Sequence, residues 1–196
     1  DDVYGEMDRI MEQLRAQGHT PYAIPVGGSV PVGRLGYINC AKEIAHQAQE
    51  LGVTFDAVVS AAGSGGTYAG LTLGAKLFLP GIRSIGIGVC DDPFVEIAME
   101  LTTGAAELLE TDIRVTREDI HIHYCIGSGY AIPSPEGCAA VHRLARTEGI
   151  LIDPVYTGKA LAGFFQLLEQ GAFDQDENIL FVHTGGAGAL FAVEMV

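Results

Sequence analysis

The sequence predicts an α/β domain in three layers, with a mostly parallel sheet and helices on both faces. Two observations carry this. Strand and helix patterns alternate along nearly the whole chain, and the strand candidates are continuous apolar runs, as strands covered on both faces require. The chain has 196 residues, 48% of them apolar and 18% charged, so it can build a core and is too apolar for intrinsic disorder.

The elements follow in order. Asp1 and Asp2 are N-cap candidates for a first helix, whose apolar stripe is Met7, Ile10, Met11 and Leu14 and whose stop is Gly18. Pro21–Val26 reads as a short strand, and Gly27, Gly28, Ser29 and Gly33 as a turn-rich link. A helix is expected from about Leu35 to Leu51, ended by Gly52. Phe55–Ala61 is a buried strand that runs into the turn Gly63-Ser-Gly-Gly-Thr67 and then a helix, Tyr68–Phe78. Arg83–Cys90 is the next strand, Pro93 to about Leu109 a helix, and Ile120–Cys125 a strand. Ser134, Pro135 and Glu136 supply an N-cap, a proline at the first helical position and a first-turn acid, and that helix stops at Gly149. Asp153-Pro154 opens a loop, a helix runs from about Gly158 to Gln170, Asn178–His183 is a strand, and Gly185-Gly186 turns it into a terminal helix. Residues 1–33 are expected to belong to a different packing unit from residues 34–196.

Composition excludes several functions. Eleven basic against twenty-five acidic residues give a net charge of −14, which argues against a nucleic-acid groove or an anionic membrane surface, since both need clustered Lys and Arg. No apolar run reaches membrane-spanning length, and no signal peptide opens the chain. Cys40, Cys90, Cys125 and Cys138 are widely spaced, with no zinc pattern, and read as free thiols of a cytoplasmic protein. The chain opens on a helix pattern without Met, which reads as a fragment.

Three constellations can carry chemistry. The strand–Gly63-Ser-Gly-Gly-Thr67–helix unit, entered through Ala62, frees backbone N–H groups of Gly63, Ser64, Gly65, Gly66 and Thr67 to converge on an anion at the positive end of a helix. That arrangement holds a phosphate without a positive side chain. It is neither a dinucleotide fingerprint, because Tyr68 stands where the third glycine would be, nor a Walker loop. Asp91 and Asp92, at the end of the next strand, keep a nicotinamide dinucleotide as an alternative ligand. The second unit, His183-Thr184-Gly185-Gly186, is another glycine turn at a strand end and would face the same crevice; His183 itself reads as a hydrogen-bonded core histidine. His121 and His123 share one face of a strand without a third metal ligand nearby. The third unit places Tyr130 and Tyr156 in loops at element boundaries, where a phenol can stack on a ring or move a proton. Thr157 sits at a helix start, a position that suits an N-cap.

Five runs, IPVGGSVPVGRLGYINCA, SAAGSGGTYAG, IGSGYAIPSPEG, DPVYTGKALAG and FVHTGGAGALFA, resemble the D-cysteine desulfhydrase / 1-aminocyclopropane-1-carboxylate deaminase family. These are fold-type-II pyridoxal-phosphate enzymes, so the resemblance implies a pyridoxal 5′-phosphate cofactor, a small amino-acid substrate, a homodimer and an incomplete tryptophan-synthase-β-like fold. Residues 34–196 would be the C-terminal cofactor-binding domain. The Gly63–Thr67 loop would hold the cofactor phosphate, Thr157 would hydrogen-bond the pyridine nitrogen, and Thr184–Gly186 would flank the ring. Tyr130 and Tyr156 would be the catalytic pair on the substrate side. The GGNK-type lysine motif and the Ser-Asn-His/Gln segment of the family are not in this sequence, and Lys42, Lys76 and Lys159 do not match them. The resemblance therefore covers the C-terminal part of a family member, a fragment expected to be inactive alone. It leaves D-cysteine β-elimination, cyclopropane ring opening and an L-cysteate sulfo-lyase reaction open. Thr157 favours elimination, because ring-opening deaminases carry an acid in that motif and a hydroxyl leaves the ring a weaker electron sink.

Overall fold

A computed structural model describes residues 2–194. Four strands form one fully parallel sheet in the order β3-β2-β1-β4, where β1 is Ala57–Ala62, β2 Arg83–Gly88, β3 His121–Tyr124 and β4 Ile179–Phe181. β1 is buried along its whole length, as its apolar run, interrupted only by Ser60, implies. Six α-helices surround it: α1 Val3–Ala16, α2 Pro31–Leu51, α3 Gly66–Phe78, α4 Phe94–Leu108, α5 Pro135–Glu148 and α6 Thr157–Glu169. One core, containing Ile38, Leu73, Phe94 and Leu101, joins α2, α3 and α4 to one face of the sheet. A second, containing Val59, Ile87, Ile152 and Leu161, joins α5 and α6 to the other. The three-layer α/β reading is thereby met, and the sheet is parallel throughout the described residues.

Local chemistry sets the element boundaries. Ser134 Oγ accepts from Gly137 N at 3.1 Å, Pro135 occupies the first helical position, and Gly149 ends α5 in the left-handed region at φ 69°. Pro31 likewise opens α2, four residues earlier than the apolar pattern suggests.

Two expectations are corrected. Pro21–Val26 is not a strand: the segment is irregular and leads into a single 3-10 turn, Val26–Gly28. Pro21 and Pro25 lack the N–H groups a ladder needs, and Tyr22, Ile24 and Val26, which a strand would place together on one apolar face, are all exposed. The terminal helix is a 3-10 segment, Ala187–Phe191. Among the described residues, no helix is long and apolar enough to cross a membrane.

Candidate active site

β1 pairs with β2 on one side and β4 on the other. The connection to β2 runs through α3 on one face, and the chain reaches β4 through α5 and α6 on the opposite face. The loops leaving β1 and β4 therefore diverge, and ligand crevices of open α/β sheets form at such a switch point. A cavity of about 780 Å³ opens there, walled by Gly63, Ser64 and Thr67 from the β1 loop, by Tyr130 and Tyr156, and by Thr184 from the β4 loop. Cys90, Asp91 and Asp92, just beyond β2, complete that side. Residues far apart in sequence thus meet in one crevice.

The glycine loop has the geometry of an anion cradle. Gly65 is the N-cap of α3 with φ +77°, and no side chain caps the free N–H groups of the first turn. A Cβ at Gly65 would lie 2.6 Å from Ile97 Cγ2, and one at Gly63 would lie 3.1 Å from the Tyr156 ring. Glycine is therefore required at Gly65 by both conformation and space. Ala62 is buried as the last residue of β1, and Gly65 and Gly66 are buried beneath the rim formed by Gly63, Ser64 and Thr67. Ser29 Oγ donates to Ser64 O at 3.1 Å, which fixes the Val26–Gly28 turn against the loop. These features fit the phosphate of pyridoxal phosphate. Tyr68, where a dinucleotide fingerprint has glycine, is fully buried instead, and its hydroxyl accepts from His121 N at 2.8 Å. Burial raises its pKa to about 12.

The two tyrosines form a pair. Their hydroxyl oxygens are 2.5 Å apart and their rings meet edge to face with centroids 6.0 Å apart. Tyr130 stands on a loop that passes through Gly129 at φ +139° and Ala131 at φ +61°, the latter an unfavourable conformation for a residue with a side chain. Fully buried Lys159 holds that loop, its Nζ donating to Gly129 O at 2.7 Å. The hydrogen bond with Tyr130, followed by burial, lifts the Tyr156 pKa to about 12. Tyr156 thus remains a proton donor across the neutral range. A phenol whose folded pKa exceeds its unfolded value of about 10 contributes stability below pH 10 and loses it as the pH climbs towards 12. An ultraviolet alkaline titration should show two phenolate steps delayed towards pH 12, those of buried Tyr68 and of Tyr156, and only one of them in Tyr156→Phe. A delayed amplitude in the parent no larger than that in Tyr156→Phe would contradict the pairing.

Asp153, whose one sequence signal is an Asp-Pro loop opening, lies outside the cavity lining and anchors the turn that carries Tyr156. It is buried, and its carboxylate accepts from Val155 N at 2.8 Å, Tyr156 N at 2.6 Å, Thr157 N at 2.9 Å and Thr157 Oγ1 at 2.6 Å. It does for α6 what an N-cap side chain does, and it sets the direction in which Tyr156 leaves the helix. Thr157 is the first residue of α6, buried and outside the cavity lining, with its hydroxyl hydrogen committed to Asp153. Gly185 also lies outside the lining; with Gly186 it turns the β4 loop at φ +99° and +93°, and a Cβ at Gly186 would strike the Asp153 carboxylate at 2.7 Å. His183 is exposed rather than in the core, though it is hydrogen-bonded, with Nε2 3.1 Å from Leu151 O.

The remaining charged groups divide sharply. Asp91, Asp92 and Glu100 line the cavity, and the Cys90 thiol donates to Gly63 O at 3.4 Å and Asp92 Oδ2 at 3.2 Å. Burial, then the neighbouring acids, push that thiol up to about 11, so it is an inert hydrogen-bonding group. None of Lys42, Lys76 and Lys159 lines the cavity. The cation beside the cradle is Arg34, whose guanidinium lies against Gly66; the expectation of a cradle without a positive side chain nearby is corrected on this point. Among the described residues, no group of three His, Cys, Asp or Glu side chains is placed to hold a metal.

A glycine loop that opens a helix beside a cavity shared with a tyrosine pair is an arrangement suited to a phosphorylated ligand gripped through backbone N–H groups. The chain belongs to the family of pyridoxal-phosphate-dependent enzymes, whose family model matches residues 1–185. Curated relatives include D-cysteine desulfhydrases of Yersinia enterocolitica, 45% identical over 97% of this chain, and of Klebsiella pneumoniae, 41% identical over 97% of it. In each case the chain spans 58% of the relative's length. A crystal structure described as that of an ACC deaminase homologue superposes with a TM-score of 0.86 at 38% identity, covering 96% of this chain and 56% of its own. These findings favour pyridoxal phosphate over the dinucleotide alternative, although Asp91 and Asp92 do reach the cavity.

Proposed function

We propose that the protein is a pyridoxal-phosphate-dependent lyase that eliminates the β-substituent of D-cysteine or a similar small sulfur amino acid. The observation that carries this reading is the meeting of the Gly63–Thr67 cradle and the Tyr130–Tyr156 pair in one cavity, in a chain 45% identical to a D-cysteine desulfhydrase. When bound, the cofactor supplies an electron sink for the carbanion at the substrate Cα. The cradle residues Gly63, Ser64, Gly65, Gly66 and Thr67 hold its phosphate. Thr184 borders the ring from the β4 loop and Gly185 gives that loop its turn. Tyr130 and Tyr156 take the substrate side, where the protonated Tyr156 hydroxyl can deliver a proton to the departing sulfur. In the net reaction the substrate loses its Cα proton and its Cβ–S bond, and with one water gives pyruvate, ammonia and hydrogen sulfide.

Thr157 enters this reading conditionally on a bond exchange. Its hydroxyl hydrogen points to Asp153, so it can donate to the pyridine nitrogen only by giving up that 2.6 Å bond. A hydroxyl rather than an acid at this position supports elimination over ring opening. We take the family's homodimer and cytoplasmic location as part of the same reading; a boundary between residues 1–33 and 34–196 would fall inside α2, so of the first segment only α1, which buries none of its side chains, is read as belonging to a packing unit apart.

The test is product formation by the full-length protein reconstituted with pyridoxal phosphate. Pyruvate and sulfide are expected from D-cysteine, with Tyr156→Phe slowing turnover roughly 100-fold or more, the usual scale for losing a general acid. Release of 2-oxobutanoate from 1-aminocyclopropane-1-carboxylate, or of sulfite from L-cysteate, with D-cysteine inert, would replace the substrate assignment. The 196 residues alone are expected to release no pyruvate, because no lysine lines the cavity.

A further inference from the structure

The least explained group in the molecule is Arg34. Its side chain is buried, with 3% of the residue exposed, yet among the described residues no carboxylate pairs with it. Its Nε donates to Val30 O at 3.3 Å and its Nη2 to Gly28 O, both backbone carbonyls. Nη1 makes no hydrogen bond among the described residues and lies 1.2 Å from where a Cβ of Gly66 would stand, so any side chain there would coincide with the guanidinium. Gly66 is the first residue of α3, so a full positive charge has been placed against the positive end of a helix dipole. Two like-signed features converge on one buried spot, and burying a charge without a counter-ion is strongly unfavourable. The acids of the cavity, Asp91, Asp92 and Glu100, are not bonded to it. The arrangement becomes favourable when a multiply charged anion occupies the adjoining cradle.

We propose that Arg34 is the counter-charge of the phosphate held by the Gly63–Thr67 cradle, an assignment that rests on the reading of this loop as a phosphate site. The guanidinium acts through the first turn of α3 while its Nη2 bond to Gly28 O keeps the Val26–Gly28 turn, whose Gly27 lines the cavity, closed against the loop. Gly66 is glycine because the guanidinium occupies the place of its side chain. Burial lowers the Arg34 pKa, the direction expected for a cation that lacks its anion.

The test compares ligands that differ only in the phosphate. Dissociation constants of pyridoxal 5′-phosphate, pyridoxal and inorganic phosphate are measured on cofactor-free full-length protein, for the parent, Arg34→Gln and Arg34→Met. Gln keeps a donor for Gly28 O without the charge and is the variant more certain to fold. The parent should prefer pyridoxal phosphate over pyridoxal strongly. Each variant should shrink that preference ten- to hundredfold, with pyridoxal affinity unchanged within twofold and with the thermal protection given by millimolar inorganic phosphate lost. Equal weakening of both aldehydes would make Arg34 a packing clamp and overturn the proposal, as would an unchanged preference. A parent that does not discriminate between the two aldehydes would instead sink the phosphate-site reading, and this assignment with it.

Discussion

In the full-length protein, Gly65→Ala should weaken pyridoxal phosphate binding by roughly two to three orders of magnitude while leaving the protein folded. The residue sits at φ +77°, which for alanine costs about 1–2 kcal/mol. Its new methyl would meet Ile97 Cγ2 at 2.6 Å, and overpacking of that kind costs about 1–3 kcal/mol. Without ligand, the loop can relieve both by swinging away from α4. With ligand, the N–H groups must converge again, so the penalty falls on binding. Calorimetric titration of the cofactor-free protein measures this directly. A loss smaller than tenfold would mean that the cradle does not depend on the Gly65 conformation, and the phosphate would have to be placed elsewhere.

Asp153→Ala should be the most destabilising single change in the site, lowering stability by about 3–5 kcal/mol. The carboxylate takes three N–H groups and one hydroxyl, and each hydrogen bond to a charged acceptor contributes about 1.5–3 kcal/mol before the losses of burial. The first turn of α6 would lose its cap, Thr157 its partner and Tyr156 its direction. Denaturant unfolding should show a lower midpoint, and Asp153→Asn, which keeps one acceptor oxygen, should recover part of the loss. The Tyr156 phenolate step should move towards pH 10 in the alanine variant, because the partnership with Tyr130 is the first cause of its elevation. An alanine variant as stable as the parent, with the delayed step intact, would show that the backbone alone sets α6 and the tyrosine pair.

What was legible in the sequence was local. Ser134, Pro135 and Gly149 announce both ends of α5 because caps act within a turn of the residue that makes them. The glycine loop after β1 was legible for the same reason, since strand, turn and helix are contiguous. The Pro21–Val26 segment has the apolar content of a strand, but Pro21 and Pro25 remove N–H groups that a strand would bond, so composition alone does not settle its conformation. Arg34 was invisible for a different reason: its neighbour is the absent side chain of Gly66, far along the chain, and nothing in a linear pattern marks a guanidinium that replaces a methyl. Asp153 did leave a signal, an Asp before a proline at a helix start, and weighing it as a cap would have found the residue that commits the Thr157 hydroxyl.

The place of β1 between its two partners has a consequence for the order of assembly. Ala57 pairs with Arg83, reached through a single helix, and also with Ile179, reached only after four helices and two further strands. Pairing between segments so far apart closes a long loop and comes late in folding, whereas β1, α3 and β2 can dock as a neighbouring unit. The glycine loop and the cap of α3 can therefore form before the Thr184 wall does. The crevice is completed only when β4 zips onto β1, which makes its docking the step that a bound cofactor would lock and the one most exposed to interruption if β4 arrives late.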